Sequence, residues 1–429
     1  MTRVKTLSIY LPYDLKSPSE IVSKVTSLLI SSLPLLPNIT CFRIELTRES
    51  SAFFATLLQI ITSFSLPRTL QKLRIYGHVD MFTSLGEYSA HTTPFRNLTE
   101  LDLSLGYREH LGFFKEPPIQ PNLSLTLVPF LQSFAPTLRL LRVSNWSETL
   151  DLFTHFNALN QFDSSVPVPN LKSLFLYLPG VSVSSPRSSF QSLRRFLLTH
   201  SNGLQLLHLT ITRPHLNPGV DKLLGAWLAE LVNNNIQFPC IQTLQLYPSI
   251  SQIGLSALLA LIKRTSSTLY SLTIPNRYLT GEEVGQLLDA LTEGEVQVPT
   301  TSMVITTPRT SKLRVLSISI NHLSVPFLEL LAHKLPQLER LSLRVSEIVD
   351  SPVNALLSSI QIVSTEQKYP PSSIHSTTFS TSDGTIGVIQ TISLPPKTYS
   401  TRGSCATSRS GGGVSGPMLR VRWRVPYLL

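Results

Sequence analysis

A chain of 429 residues is too long for one compact core of ordinary size and implies two or three domains, or one elongated array. Its 42% hydrophobic and 14% charged residues, at a mean hydropathy of +0.14, exclude a polar disordered chain. The net charge of +10 suggests nucleic acid at first, but residues 363–429 hold seven Lys/Arg against two Asp/Glu, so half of the excess lies in that tail and no basic block exists before it, which weighs against a nucleic-acid partner.

The first apolar unit is Val4-x-x-Leu7-x-Ile9, and the form apolar-x-x-apolar-x-apolar then recurs. Its later copies open at Ile39, Leu70, Leu98, Leu138, Leu171, Leu204, Ile241, Leu269, Leu313 and Leu338. Each copy alternates sides as a strand does, so its apolar residues share one face. Between copies, helical apolar spacing predicts helices over 52–64, 193–199, 223–231, 253–262, 284–291 and 325–331. In the first of these, Phe53, Leu57, Ile60, Ile61 and Phe64 keep a single stripe. Glu282 and Glu283 stand at a helix start, where acidic residues suit the dipole.

Proline placement strengthens the repeat. Pro37, Pro136, Pro169, Pro239 and Pro336 each lie two residues before a unit. With 31 prolines in the chain, eleven such positions would hold about 0.8 by chance, so five is an excess that needs a cause. Proline ends the preceding helix and cannot donate to the coming ladder. A single unit cannot bury its apolar face. Stacked units can, and the predicted fold is an α/β solenoid over 1–363, with about eleven irregular repeats.

After 363 the composition changes. Residues 369–382 are Ser/Thr/Pro-rich and 400–416 Ser/Gly/Arg-rich, so 364–429 is expected to be a largely disordered basic tail. Within it, 385–394 fits a last strand or hairpin after Ser382-Asp383-Gly384, and 419–429 a docking strand.

The units resemble leucine-rich repeats, and their irregular length with Pro-x-Leu openings is similar to the substrate-binding half of fungal F-box/leucine-rich-repeat proteins. The resemblance covers about residues 4–363. It implies a horseshoe with parallel strands on the concave face and helices on the convex one. It also implies a protein partner, as in substrate recognition by a ubiquitin ligase. Two departures stand out. Only Asn321 fits the Asn position that follows the strand in the family's repeats. The family's F-box has no counterpart, since Met1 is followed at once by the first unit. The expectation is a truncated product or a protein that works without a cullin adaptor; such an adaptor would be a partner only with an F-box supplied upstream.

Chemistry-bearing motifs are missing from the sequence. There is no HExxH, GxxxxGK[ST] or GxSxG, and His200, His208 and His215 lack partners at zinc spacing, so no metal, cofactor or catalytic role is expected. Cys41, Cys240 and Cys405 form no disulfide framework, which fits a reducing compartment, cytosol or nucleus. Sequons at Asn38, Asn97, Asn122 and Asn145 matter only in a secreted chain, and the first eleven residues have no signal core. Apolar stretches such as 25–36 fall well short of the ~20 residues needed to cross a membrane.

What remains is the solvent side of the strands. Alternation places Arg43, Arg74, Arg142, Phe175 and His208 on it between the last two apolar positions, Tyr76, Tyr177 and Tyr247 just after them, and Lys72 beside Arg74. Tyr and Arg dominate interface hot spots, so these nine residues form the candidate partner-binding surface. Two other classes stay open. One is a regulator of small GTPases, which would favour regular repeats and an acidic tail; the other is nucleic-acid binding through the basic tail and early arginines.

Overall fold

The computed structural model describes residues 4–10, 18–46, 51–63, 69–77, 82, 96–105, 124–145, 168–179, 186–212, 218–234, 236–297, 304–308, 311–348, 362–363, 375–379, 387–392 and 418–422. The chain divides into two compact units, Met1–Leu258 and Leu259–Leu429.

In the first unit, eight strands follow one another in sequence order: β1 (Thr6–Tyr10), β2 (Cys41–Glu45), β3 (Lys72–Gly77), β4 (Glu100–Leu105), β5 (Leu140–Asn145), β6 (Ser173–Pro179), β7 (Leu206–Thr212) and β8 (Thr243–Leu246). Every neighbouring pair is parallel. The described helices between them are α1 (Pro18–Ser32), α2 (Ser51–Ser63), α3 (Ser124–Phe134), α4 (Pro186–His200) and α5 (Pro218–Asn233); α6 (Gln252–Thr265) follows β8 and contains the division at Leu258. Parallel strands need crossovers, and crossovers of one hand between strands in unbroken order put their helices on one side of the sheet. No described helix is placed on the other side.

The register stacks like positions on like. Phe42, Leu73, Leu101, Leu141, Leu174, Leu207 and Leu244 make one ladder, and Ile44, Ile75, Leu103, Val143, Leu176, Leu209 and Leu246 the next. All are buried. The opening residues from Ile39 to Ile241 form a third buried row, whereas Val4 is exposed. Each Leu removed from water in these rows stabilises the array by about 1.5–3 kcal/mol.

One backbone contact repeats without exception along the unit. The carbonyl of the residue after each opening position accepts two successive N–H groups from the next strand. Lys5 takes Thr40 and Cys41, Thr40 takes Gln71 and Lys72, Gln71 takes Thr99 and Glu100, and Thr99 takes Arg139 and Leu140. Arg139, Lys172 and Gln205 continue the series with the following strands. Repetition is therefore visible in the hydrogen bonding, independently of which side chains occupy the units. All five prolines singled out above sit in turns just before a strand, and Pro37, Pro136, Pro239 and Pro336 follow a described helix.

The second unit carries β9 (Ser271–Leu279), β12 (Val315–Leu323) and β13 (Arg340–Ile348), again parallel. The carbonyls of Tyr270 and Arg314 repeat the double acceptance. Helices α7 (Gly281–Thr292) and α8 (Val325–Lys334) separate the strands. The longest step of the series, from Leu269 to Leu313, accommodates an antiparallel hairpin of β10 (Glu293–Gln297) and β11 (Val304–Pro308). In β9 the register shifts around Pro275 and Asn276, whose φ of 60° places it in the left-handed region that Asn tolerates. Asn321 lies within β12, which runs on to Leu323.

Beyond 348 the described residues are four short strands, β14 (Ile362–Val363), β15 (His375–Phe379), β16 (Gly387–Ile392) and β17 (Met418–Arg422). They pair antiparallel, with β17 also against β13. The rest of the expected tail lies outside the described residues.

Candidate functional site

The uncovered side of the first unit's sheet carries three rows in register. The central row is Arg43, Arg74, Asp102, Arg142, Phe175, His208 and Gln245. Beside it run Glu45, Tyr76, Ser104, Ser144, Tyr177 and Thr210, and on the other flank Cys41, Lys72, Glu100, Leu140, Ser173, Leu206 and Thr243. Period-2 alternation fixes this placement, because the intervening residues fill the core.

These side chains form a connected surface across the strands. The Arg43 guanidinium lies 4.8 Å from the Tyr76 ring centroid and donates to Glu45 at 2.9 Å. The Tyr76 hydroxyl donates to Asp102 at 3.1 Å, and Arg142 donates to the same carboxylate oxygen at 3.3 Å. Arg142 also stands 4.4 Å over the Phe175 ring, a cation–π contact. His208 packs 5.5 Å from Phe175 and 4.6 Å from Tyr177, centroid to centroid. It closes the network through Thr210 at 2.9 Å, which Gln245 reaches at 3.3 Å. Lys72 pairs with Glu100 at 2.7 Å.

Titration follows from that environment. Burial pushes the Tyr76 hydroxyl above its ordinary pKa, and the Asp102 charge and hydrogen bond push it further, against the pull of Arg43 and Arg74. Burial likewise raises Tyr177, with Arg142 opposing and Asp102 adding. Burial, then the Arg142 charge, lowers His208 to about 4. At neutral pH it is an uncharged ring and fits a Gln245 → Thr210 → His208 donor chain ending on its Nε2.

Eight of the nine residues expected on this surface are there: Arg43, Lys72, Arg74, Tyr76, Arg142, Phe175, Tyr177 and His208, each half-buried. Tyr247 is not, and the expectation is corrected. It is fully buried, and its hydroxyl donates to Asp221 of α5 at 2.8 Å. Strand β8 ends at Leu246, so alternation no longer governs the next residue. The signal was Pro248, which cannot donate to a ladder and turns the chain away. Sequence reasoning also passed over Asp102, 6% exposed, which joins Tyr76 to Arg142. An acid in the same row as Arg74 and Arg142 is a cross-strand pairing that the rows themselves contained.

Asp221 and Tyr247 belong to a clamp instead. The buried carboxylate accepts from Tyr247, from the Ser249 hydroxyl at 2.7 Å and from the Ile250 N–H at 3.1 Å. It holds Ser249 at φ 73°, a left-handed conformation that is strained for a residue with a side chain. Gly254 permits the close approach, since a Cβ there would lie 1.9 Å from the Pro248 carbonyl oxygen. In the second unit the acidic helix start expected at Glu282 and Glu283 is a capping box of Thr280 with Glu283, and buried Arg277 donates to Glu283 at 2.6 Å.

Other chemistry is sparse. His200 is buried, its Nδ1 against the Phe196 carbonyl at 2.7 Å and its Nε2 accepting from the Val168 N–H, so it is a neutral structural ring; His215 lies outside the described residues. Among the described residues no group of three His, Cys, Asp or Glu could hold a metal, and no helix is long and apolar enough to cross a membrane. A groove between β1 and α1 is lined by Ile9, Val25, Leu28, Leu29 and Leu33, and Tyr10 is the one titratable group among its described lining residues. No protein-family model matches the chain, and comparison with curated proteins gives no match either.

Proposed function

We propose that the chain is a leucine-rich-repeat solenoid that catalyses nothing and binds another protein on the open, concave side of its sheet. It would act as the substrate-recognising half of an F-box/leucine-rich-repeat ligase subunit does. The observation that carries this reading is the continuous Arg43–Tyr76–Asp102–Arg142–Phe175–His208–Tyr177 surface, built from six consecutive strands. Its arginines and aromatics are held by one another before any partner arrives, which lowers the ordering cost of association. A strand-borne surface is also stiffer than one built on loops.

The non-catalytic part has its own support. The one carboxylate in the central row, Asp102, is engaged by Tyr76 and Arg142. Neutral His208 has Thr210 at its Nε2, but Thr210 is also held by Gln245 and no acidic group orients the ring.

The test is affinity capture from a cell lysate with wild type and with a variant carrying Arg74→Ala, Phe175→Ala and Tyr177→Ala. The triple variant loses the captured proteins while its circular dichroism is unchanged. Identical capture by both proteins refutes the assignment of this surface.

A further inference from the structure

Resting on the reading of this surface as a protein-binding one, the charges on it identify the kind of peptide it takes. Among the described residues of the three rows stand four cations, and three of them have a carboxylate each: Arg43 with Glu45 at 2.9 Å, Lys72 with Glu100 at 2.7 Å, and Arg142 with Asp102 at 3.3 Å. Arg74 makes no hydrogen bond or ion pair with any described residue, although Arg43 and Asp102 are its register neighbours. Asp102 is turned to Tyr76 and Arg142 instead. Two arginines side by side on adjacent strands repel, and the guanidinium without a carboxylate is where an added anion relieves the most.

A polyanion does not suit this pattern. Along a phosphate backbone, Glu45, Glu100 and Asp102 would each repel it, and a single unmatched guanidinium leaves one charge to neutralise. One carboxylate side chain fits.

The aromatic patch fixes the second anchor. Phe175, Tyr177 and His208 cluster half-exposed on β6 and β7, and His208, lowered to about 4 by burial and the Arg142 charge, adds no charge to them. From Arg74 on β3 to Phe175 on β6 is three strand spacings along one row. At about 4.8 Å per spacing that is about 14 Å. An extended chain rises about 3.3–3.4 Å per residue, so the span equals about four residues, and residues i and i+4 of a strand share a side. Distance and parity agree. A helix has no such solution, because its same-side positions i+7 and i+11 fall at about 10.5 and 16.5 Å.

We propose that the surface takes an extended peptide with a Glu or Asp side chain on Arg74 and, four positions away, a bulky apolar or aromatic side chain on the Phe175–Tyr177–His208 patch. The intervening residues cross the Asp102–Arg142 pair.

The probe is a set of fluorescein-labelled peptides carrying one Glu and one Leu, in both orders and at every separation from one to eleven positions, with Ser, Ala and Gly elsewhere. Binding to the full chain is read by fluorescence anisotropy. The expected profile peaks at a separation of four, and there Glu→Gln in the peptide or Arg74→Gln in the protein weakens binding about tenfold, the loss of one charge-assisted fork. Phe175→Ala flattens the profile. A profile without a peak, a peak at another separation, or equal binding by wild type and R74Q overturns the proposal. So does a labelled mixed-sequence RNA oligonucleotide that binds more tightly than any peptide and loses its affinity in R74Q. If the peptide rule fails while the triple variant still loses its captured proteins, the surface stands and only its ligand chemistry falls. If capture is also unchanged, both fall.

Discussion

Asp221→Ala is the perturbation with the best-defined cost. The carboxylate satisfies three donors: the Tyr247 hydroxyl, the Ser249 hydroxyl and the Ile250 N–H. Ser249 retains Ser251 Oγ at 2.9 Å, and the Ile250 residue is 53% exposed, so water reaches it. Tyr247 is fully buried, so water does not take the place of the lost acceptor. An abandoned buried donor costs about 1–3 kcal/mol, and with the weaker losses at Ser249 and Ile250 the total comes to about 3 kcal/mol. Tyr247→Phe removes one donor and leaves the carboxylate two, for about 1 kcal/mol. The double variant should cost about 2 kcal/mol, well short of the sum of the singles, because the abandoned hydroxyl no longer exists. Urea titration followed by tryptophan fluorescence suits the measurement, since buried Trp227 lies on the same helix as Asp221. Additive losses, or a cost below about 1 kcal/mol for Asp221→Ala, would show that the clamp does not hold this turn.

Three further outcomes follow from neighbouring features. Gly254→Ala drives a Cβ against the Pro248 carbonyl at 1.9 Å and should destabilise by about 1–3 kcal/mol or more, measured by the same titration, whereas Gly285→Ala, with open space around it, should not. Arg277→Ala takes the ion-pair partner from Glu283, which keeps the Thr280 N–H, and should cost about 1–3 kcal/mol. Burial alone would raise the Glu283 pKa, but hydrogen bonds from Thr280 and Arg277 hold it below the ordinary value. That stability is therefore present above the unfolded carboxylate pKa and lost as pH falls through the folded one, so R277A should flatten the acid limb of the urea midpoint against pH. His208, lowered from 6.5 to about 4, takes up its proton more readily unfolded than folded. Its contribution is complete above about pH 6.5 and declines as pH falls towards 4, and His208→Gln should remove that part of the pH dependence; an NMR titration placing the ring near 6.5 in the folded protein would refute it.

Most of the strand positions were legible because the repeat writes them many times over. A unit such as Leu98-x-x-Leu101-x-Leu103 is ambiguous alone, but prolines before five units and helical stripes between them leave few arrangements. Each expected helix is present, and most run past their apolar stripe, since capping residues carry no periodic signal; the one expected over 52–64 ends at Ser63. Helices α1 and α3 were missed; α1 mixes Ser and Lys into its apolar spacing and α3 contains Pro129. On the open surface, alternation located eight residues because strand geometry dictates side-chain direction. It failed at Tyr247, where the strand had already ended. The ion pairing was not legible in the same way: that Asp102 turns to Tyr76 and Arg142, leaving Arg74 apart, depends on side-chain geometry that no spacing rule contains.

The doubly accepting carbonyl has a consequence for how such a chain changes length. Nothing in that joint depends on the loops, and from Lys5 to Gln205 each rung offers the next an identical socket. Excising residues 172–204 would deliver the N–H groups of Gln205 and Leu206 to the Arg139 oxygen, which now receives Lys172 and Ser173. The ladder would close one rung shorter with its register intact, whereas inserting a single residue inside a strand would turn its core leucines out to solvent. Growth and loss by whole rungs are thus the tolerated edits, and they resize the open surface without redesigning it.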